Sequence, residues 1–177
     1  MKVMFISDIH GIKTNLEKIK IKFKSMNCDK LVVLGDLFYL GTGNNQKDYD
    51  PCYVKEFLES FNDKLICTRG NCDSAKDLKN LKIHNIEELT LLKTINNDIY
   101  LTHGHIYNSS NWNRKNSILI YGHYHIPFIK HIESNTYISP GSISIARQNY
   151  KETYLIYDEE KFTIYDINDN KLIEEYL

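Results

Sequence analysis

Five short polar motifs stand in this chain, each directly behind an apolar run. Asp8-Ile9-His10 follows Val3-Met4-Phe5-Ile6, Gly35-Asp36 follows Leu31-Val32-Val33-Leu34, and Gly70-Asn71 follows Leu65-Ile66-Cys67. His103-Gly104-His105 follows Ile99-Tyr100-Leu101, and Gly122-His123-Tyr124-His125 follows Ile118-Leu119-Ile120-Tyr121. Together they supply two Asp, one Asn and five His, with glycine packed around them. Imidazole mixed with carboxylate suits Zn, Fe, Mn or Ni, whereas an all-oxygen set would suit Mg or Ca. One carboxylate can bridge two ions, and ions about 3.5–4 Å apart are the hardware for in-line displacement at a phosphoester. Such a pair holds phosphate oxygens and lowers the pKa of a bound water, so that hydroxide is available near neutral pH.

Taken singly, each motif has a plainer meaning. Asp36 could end a strand and cap a turn, Asn71 could be a turn residue, and the two His-x-His pairs could decorate a strand surface, since alternate residues share a face. Five such motifs at one structural station make a metal site the better explanation.

The elements that must carry them are legible as apolar periodicity. Lys2 to Ile6 is apolar on both faces, as a strand buried in a layered fold should be. Thr14 with Glu17 three residues on resembles a capping box opening a helix, with Leu16, Ile19, Ile21 and Phe23 as its buried stripe. Leu31 to Leu34 returns as a strand, and a β-α-β opening implies a parallel pair. Tyr39 to Pro51 is rich in Gly, Asn and Asp and reads as a long loop. Val54, Phe57, Leu58 and Phe61 have helical spacing, Lys64 to Thr68 is a third strand, and Asp73 to Leu81 a short helix capped by Asp73 or Ser74. Beyond Glu87 the pattern turns to short strands broken by turn signals such as Asn96-Asn97-Asp98, Glu133-Ser134-Asn135 and Asp158-Glu159-Glu160. Thr153–Tyr157, Phe162–Ile167 and Leu172–Tyr176 predict an antiparallel meander. The class is α/β, with helices and parallel strands in front and mostly strands behind. In parallel layers ligands bind beyond the carboxyl ends of strands, which is where the motifs fall.

Bulk properties bound the rest. With 177 residues, one domain spanning 1–177 is expected, large enough to bury a core. The formal charge of −1 offers no electrostatic footprint for DNA or RNA, so long nucleic acids are not expected partners. No apolar run approaches the roughly 20 residues that span a bilayer, and no membrane partner is expected. Cys28, Cys52, Cys67 and Cys72 make no CxxC pair, and the chain opens at once on a strand, without the n- and h-regions of a signal peptide. Reduced thiols in a cytoplasmic protein are the expectation.

The order DIH, GD, GN, HGH, GHYH resembles the calcineurin-like metallophosphoesterase superfamily. The likeness extends over nearly the whole chain and is nearest to its small bacterial and archaeal phosphodiesterases, which are related to the retromer cargo-recognition subunit. The resemblance implies a four-layer α-β-β-α sandwich, with two mixed sheets flanked by helices. It also implies two divalent metal ions, commonly manganese, with Fe, Ni and Zn as alternatives. By the same resemblance Asp8, His10 and His125 hold the first ion, Asp36 bridges, and Asn71, His103 and His123 hold the second. Asp36, Asn71, His103 and His123 are then the catalytic set, acting on a small phosphodiester. Relatives form homodimers and homotetramers, and no feature of this sequence fixes the number.

The remaining candidates lie around that set. His105 falls outside the family's ligands and is placed near the site without a metal bond. Arg69, one residue before Gly70-Asn71, is a phosphate contact, or else an ion pair with a helix carboxylate. Ser142, in Ser139-Pro140-Gly141-Ser142, is either a turn residue or, as in the family, a substrate contact near the metals. His84 and His131 have no motif context and read as ordinary surface or satisfied histidines, and Cys67 as core. One departure matters: many family members carry GNHD, whereas this chain has Gly70-Asn71-Cys72-Asp73. Cysteine supplies no cationic phosphate contact and is a poor acid at neutral pH, with a thiol titrating near 8.5. Monoesters, which carry more charge, would benefit most from that histidine, so a preference for diesters follows. Two alternatives stay open: a scaffold like the retromer subunit, in which the DxH histidine is replaced although His10 is present here, and a phosphomonoesterase or phosphoprotein phosphatase, which usually has the histidine missing at Cys72.

Overall fold

Period-two burial of the apolar runs decides the architecture. The computed structural model describes residues 1–39, 47–83 and 85–176. Its first half runs β1 (Lys2–Ile6), α1 (Leu16–Ser25), β2 (Lys30–Val33), α2 (Pro51–Glu59), β3 (Leu65–Cys67) and α3 (Ala75–Lys79), with a 3-10 turn at Asn62–Lys64. The second half runs β4 (Leu89–Lys93), β5 (Asp98–Thr102), β6 (Ile118–Tyr121), β7 (Pro127–Ile132), β8 (Asn135–Pro140), β9 (Thr153–Asp158), β10 (Lys161–Asp166) and β11 (Lys171–Tyr176). Two mixed sheets result, ordered β11-β10-β9-β1-β2-β3 and β4-β5-β6-β8-β7.

In β1, Val3 and Phe5 face the second sheet while Met4 and Ile6 face the helices, and all four are fully buried. Val32 and Leu34 join Val3 and Phe5 against Ile99, Leu101, Ile118 and Ile120, which makes the layer between the sheets. Leu31 and Val33 join Met4 and Ile6 beneath Leu16 and Ile19 of α1 and Val54 and Leu58 of α2. The expected α/β sandwich of two mixed sheets is present. Its fourth layer is irregular chain: Trp112 packs on Leu119, Tyr121 and Tyr137 of the second sheet, and its indole N–H donates to Ser117 Oγ at 2.8 Å. The described helices all precede residue 80. None is long and apolar enough to cross a membrane.

Two details of the first helix differ from expectation. Thr14 does not cap it: Asn15 holds that position, and Thr14 Oγ1 donates instead to Asp48 Oδ2 at 2.9 Å. Glu17 accepts from the Tyr53 hydroxyl at 2.9 Å, so both halves of the capping box are spent on α2 and the segment before it. Ile21 leaves the stripe at 60% exposure, since it lies about 200° round the helix from Ile19. The cap of α3 is Ser74, which accepts from Asp77 N–H at 3.1 Å, leaving Asp73 free for other work.

What matters for the site is direction. β1, β2 and β3 are parallel in one sheet, and β5, β6 and β8 are parallel in the other. Residues 8–10, 35–36, 70–71, 103–105 and 122–125 leave the carboxyl ends of β1, β2, β3, β5 and β6.

Candidate metal centre

The exits from these strands are made in left-handed backbone. Asp8, His10, Asp36, His123 and His125 have φ of 55°, 53°, 53°, 69° and 60°, a region that costs an L-residue about 1–2 kcal/mol. Tertiary bonds hold them there. Asp8 N–H donates to the Gly35 carbonyl at 3.2 Å, His10 N–H to the Asp36 carbonyl at 2.9 Å, and His123 N–H to Asp8 Oδ2 at 3.1 Å. Glycine lets the loops touch: a Cβ on Gly70 would lie 2.2 Å from Asp36 N and from Asp36 Oδ1, and one on Gly122 would lie 1.8 Å from Ser7 Oγ.

Three imidazoles are fixed in orientation through Nδ1. The Nδ1 atoms of His10, His103 and His125 lie 2.5, 2.6 and 2.6 Å from the carbonyls of Tyr39, Leu34 and Ile145. A carbonyl only accepts, so each Nδ1 carries a proton and each Nε2 faces inward. This is the arrangement in which a metal-ligating histidine is oriented by its other nitrogen. His125 Nε2 lies 3.2 Å and His10 Nε2 3.9 Å from Asp8 Oδ1. That oxygen is fully buried and takes no hydrogen bond despite these neighbours. A buried carboxylate oxygen without a partner costs free energy, and a cation is the group that fits it. Asp8, His10 and His125 each offer a ligand atom within 4.8 Å of the others.

The adjoining group centres on Asp36. Its Oδ2 lies 3.7 Å from His10 Nε2 and 3.3 Å from His103 Nε2, so it faces both sides of the cluster. His103 Nε2 is 3.0 Å from Asn71 Oδ1, and the His103 and His123 rings lie 5.1 Å apart. All seven sequence-derived ligand candidates are thus brought together. Asp8, Asp36, His10, His103 and His125 are buried, His123 is half-buried, and Asn71 is exposed at the mouth. The donor set fits divalent metal, and Asp36 belongs to two of the clusters that could hold an ion.

The same carboxylates and imidazoles set one another's charge. Burial works to raise the Asp36 pKa, yet the hydrogen bonds from His103 and the Cys72 N–H hold the carboxyl well below the usual carboxylate range. Burial disfavours charge on His103 and His125, but Asp36 and Asp8 beside them raise both. His123 and His105 are lowered, by burial and by the neighbouring His103. The Cys72 thiol is pushed up to about 12 by burial and the Asp36 charge, so it stays protonated.

The surrounding candidates divide. The Cys72 thiol faces the cluster within 4.8 Å of ligand atoms of His10 and Asp36. His105 lies tilted against His103, with centroids 5.4 Å apart, and its Nε2 lies 3.5 Å from Glu88 Oε2. Arg69 Nη1 lies 3.5 Å from Glu88 Oε1, a carboxylate just ahead of β4 and not on a helix. Ser142 is corrected: it is fully buried, with Oγ donating to the Asp8 carbonyl at 3.0 Å and accepting from Ser144 and Ile145 N–H. It ties the Asp8 turn to the segment that orients His125 and has no surface for a substrate. His131 bonds Thr136 and Glu175 at the surface, and Cys67 is core. His84 and most of the 39–51 loop lie outside the described residues.

Sequence reasoning missed Asp73. Its carboxylate accepts from Asp36, Leu37 and Gly70 N–H at 2.9, 2.7 and 2.8 Å, fastening the bridging residue to the Asn71 turn. Only its place two residues after Asn71 hinted at this, and the capping pattern at Ser74 masked it.

Sandwich, strand-end turns and clustered ligands together define a metallophosphoesterase, whose family brings divalent metals and phosphoester hydrolysis. The chain belongs to the calcineurin-like phosphoesterase superfamily, whose domain it matches over residues 1–161. It is 33% identical to phosphodiesterase YfcE of Escherichia coli K12 over 180 residues, covering 99% of this chain and 97% of the relative. It is 27% identical to the probable metallophosphoesterase YsnB of Bacillus subtilis, covering 88% and 83%. The solved structure of the E. coli phosphoesterase Yfce superposes with a TM-score of 0.94 at 29% identity, covering 99% of both chains. Vacuolar protein sorting 29 of Cryptosporidium parvum shares the fold, with a TM-score of 0.67 at 18% identity, covering 99% and 98%.

The Asp73→Ala variant leaves three backbone donors without their acceptor. It is expected to lose about 3 kcal/mol in urea unfolding and to bind manganese about tenfold more weakly by titration. Wild-type metal affinity in this variant would show that Asp73 does not position Asp36.

Proposed function

We propose that this protein is a two-metal phosphodiesterase acting on a small diester. The observation that carries the proposal is the set of three histidines pinned through Nδ1, with Nε2 turned toward two buried carboxylates. The phosphodiesterase name of the E. coli relative, which matches 99% of this chain, supports it.

Asp8, His10 and His125 would hold one ion, Asn71, His103 and His123 the other, and Asp36 both. Manganese is the leading choice, with Fe, Ni and Zn compatible with the same ligands. When bound, the ions supply Lewis-acid stabilisation of phosphate and an activated water. The chain's part is positional. The Leu34, Tyr39 and Ile145 carbonyls fix the imidazoles, and Asp73 fixes Asp36. Asn71, His103 and His123 form the wall against which phosphate is oriented, with Asn71 at the mouth. Arg69 and His105 stand at the rim, where a substrate's non-reacting oxygens would lie. The Cys72 thiol, protonated and uncharged, adds no cation for a dianion. A monoanionic diester with a good leaving group is therefore the favoured substrate.

The test is hydrolysis of a bis-aryl phosphodiester by metal-stripped protein after separate addition of Mn, Fe, Ni, Zn or Mg. Turnover with manganese is expected, falling at least about 100-fold in Asp36→Asn. No turnover with any ion, despite two bound metals, would reject the diesterase and favour a scaffold. Cys72→His is expected to raise the monoester-to-diester ratio of kcat/KM about tenfold. An unchanged ratio would remove Cys72 from the account of specificity.

A further inference from the structure

Glu88 belongs to none of the motifs, yet its carboxylate lies between two groups at the rim of the metal centre. Its Oε1 is 3.5 Å from Arg69 Nη1 and its Oε2 is 3.5 Å from His105 Nε2. The His105 ring lies 5.4 Å from the His103 ring and 6.3 Å from the His123 ring, so one imidazole separates this carboxylate from the second-ion ligands. The backbone makes the meeting: Thr68 bridges Glu87 in parallel, and Arg69 N–H donates to the Glu87 carbonyl at 2.9 Å. Arg69 and Glu88 are then neighbours where the chain leaves β3 and where it enters β4.

A bond made for stability would close to about 2.7–2.9 Å with aligned donors. Both contacts here are longer, and Glu88 Oε2 and His105 Nδ1 are buried with no hydrogen-bond partner. Half-exposed pairs of this kind contribute little to folding. Their effect on local charge is larger. Arg69 is the cation beside the Asn71 turn, and Glu88 neutralises it. The remaining nearby arginine, Arg147, lies on the first-ion side, its N–H donating to the His125 carbonyl at 3.3 Å.

Resting on the phosphodiesterase reading, we infer that Glu88 is a specificity-determining residue. It cancels the Arg69 charge at the rim, so that a phosphoryl group with one negative charge is accepted ahead of one with two. Cys72 omits a cation within the site, and Glu88 masks the one at its edge.

The test titrates metal-loaded protein with inorganic phosphate by calorimetry at low and high salt. It also compares kcat/KM for an aryl monoester and a bis-aryl diester. Wild type, Glu88→Gln, Glu88→Asp, Arg69→Ala and the Glu88→Gln/Arg69→Ala double variant are used. Glu88→Gln is expected to tighten phosphate binding about fivefold at low salt, less at high salt, and to raise the monoester-to-diester ratio in step. Glu88→Asp, which keeps the charge, is expected to retain the wild-type ratio, and the Glu88→Gln effect is expected to vanish without Arg69. Unchanged phosphate affinity in Glu88→Gln, or the same gain without Arg69, would overturn the inference. Absence of ester turnover in wild type, with the phosphate shift intact, would reject the diesterase while leaving the role of Glu88 standing.

Discussion

Asp8 and Asp36 are 0% and 2% exposed, and burying two carboxylates side by side is the constraint on which the rest of the structure turns. Each costs several kcal/mol to desolvate, and mutual repulsion adds to this. The histidines compensate in part: the Asp36 and Asp8 charges favour a proton on His103 and His125 beside them. A divalent cation resolves the conflict by accepting lone pairs from both. The left-handed turns, the glycines beneath them and the Asp73 carboxylate all hold this arrangement in place.

The site is also a seam. The first sheet contributes Asp8, His10, Asp36 and Asn71, and the second contributes His103, His123 and His125. Bonds cross directly between them, among them His103 Nδ1 to the Leu34 carbonyl and His123 N–H to Asp8 Oδ2. Beneath that seam lies the apolar layer of Val3, Phe5, Val32 and Leu34 against Ile99, Leu101, Ile118 and Ile120. Interiors packed to crystal density transmit small displacements, so the spacing of the sheets sets the spacing of the ligands. Ser142 and Asp73 extend the same logic, each spending a buried polar side chain on loop backbone.

Much of this was legible in the sequence because it depends on local pattern. The apolar runs of β1 and β2 announced strands buried on both faces, and the motifs behind them fall at the strand ends, where the candidate ligands meet. Failures came where a side chain's partner is distant in sequence. Thr14 and Glu17 had the spacing of a capping box, but Asp48 and Tyr53 outcompeted the helix end. Asp73 sat where a cap was equally plausible, and only the folded chain brings it to Asp36. Ser142 was a candidate for the substrate side because its loop is near the metals, and burial reverses its orientation. Glu88 carried no local signal at all, since its significance arises from the β3–β4 junction.

The central claim is that two ions share Asp36. Elemental analysis and electron paramagnetic resonance of manganese-loaded protein test it most directly. The account predicts two manganese ions per chain with an exchange-coupled spectrum, collapsing to uncoupled signals in Asp36→Asn. One ion per chain, or an uncoupled spectrum in the wild-type protein, would contradict it.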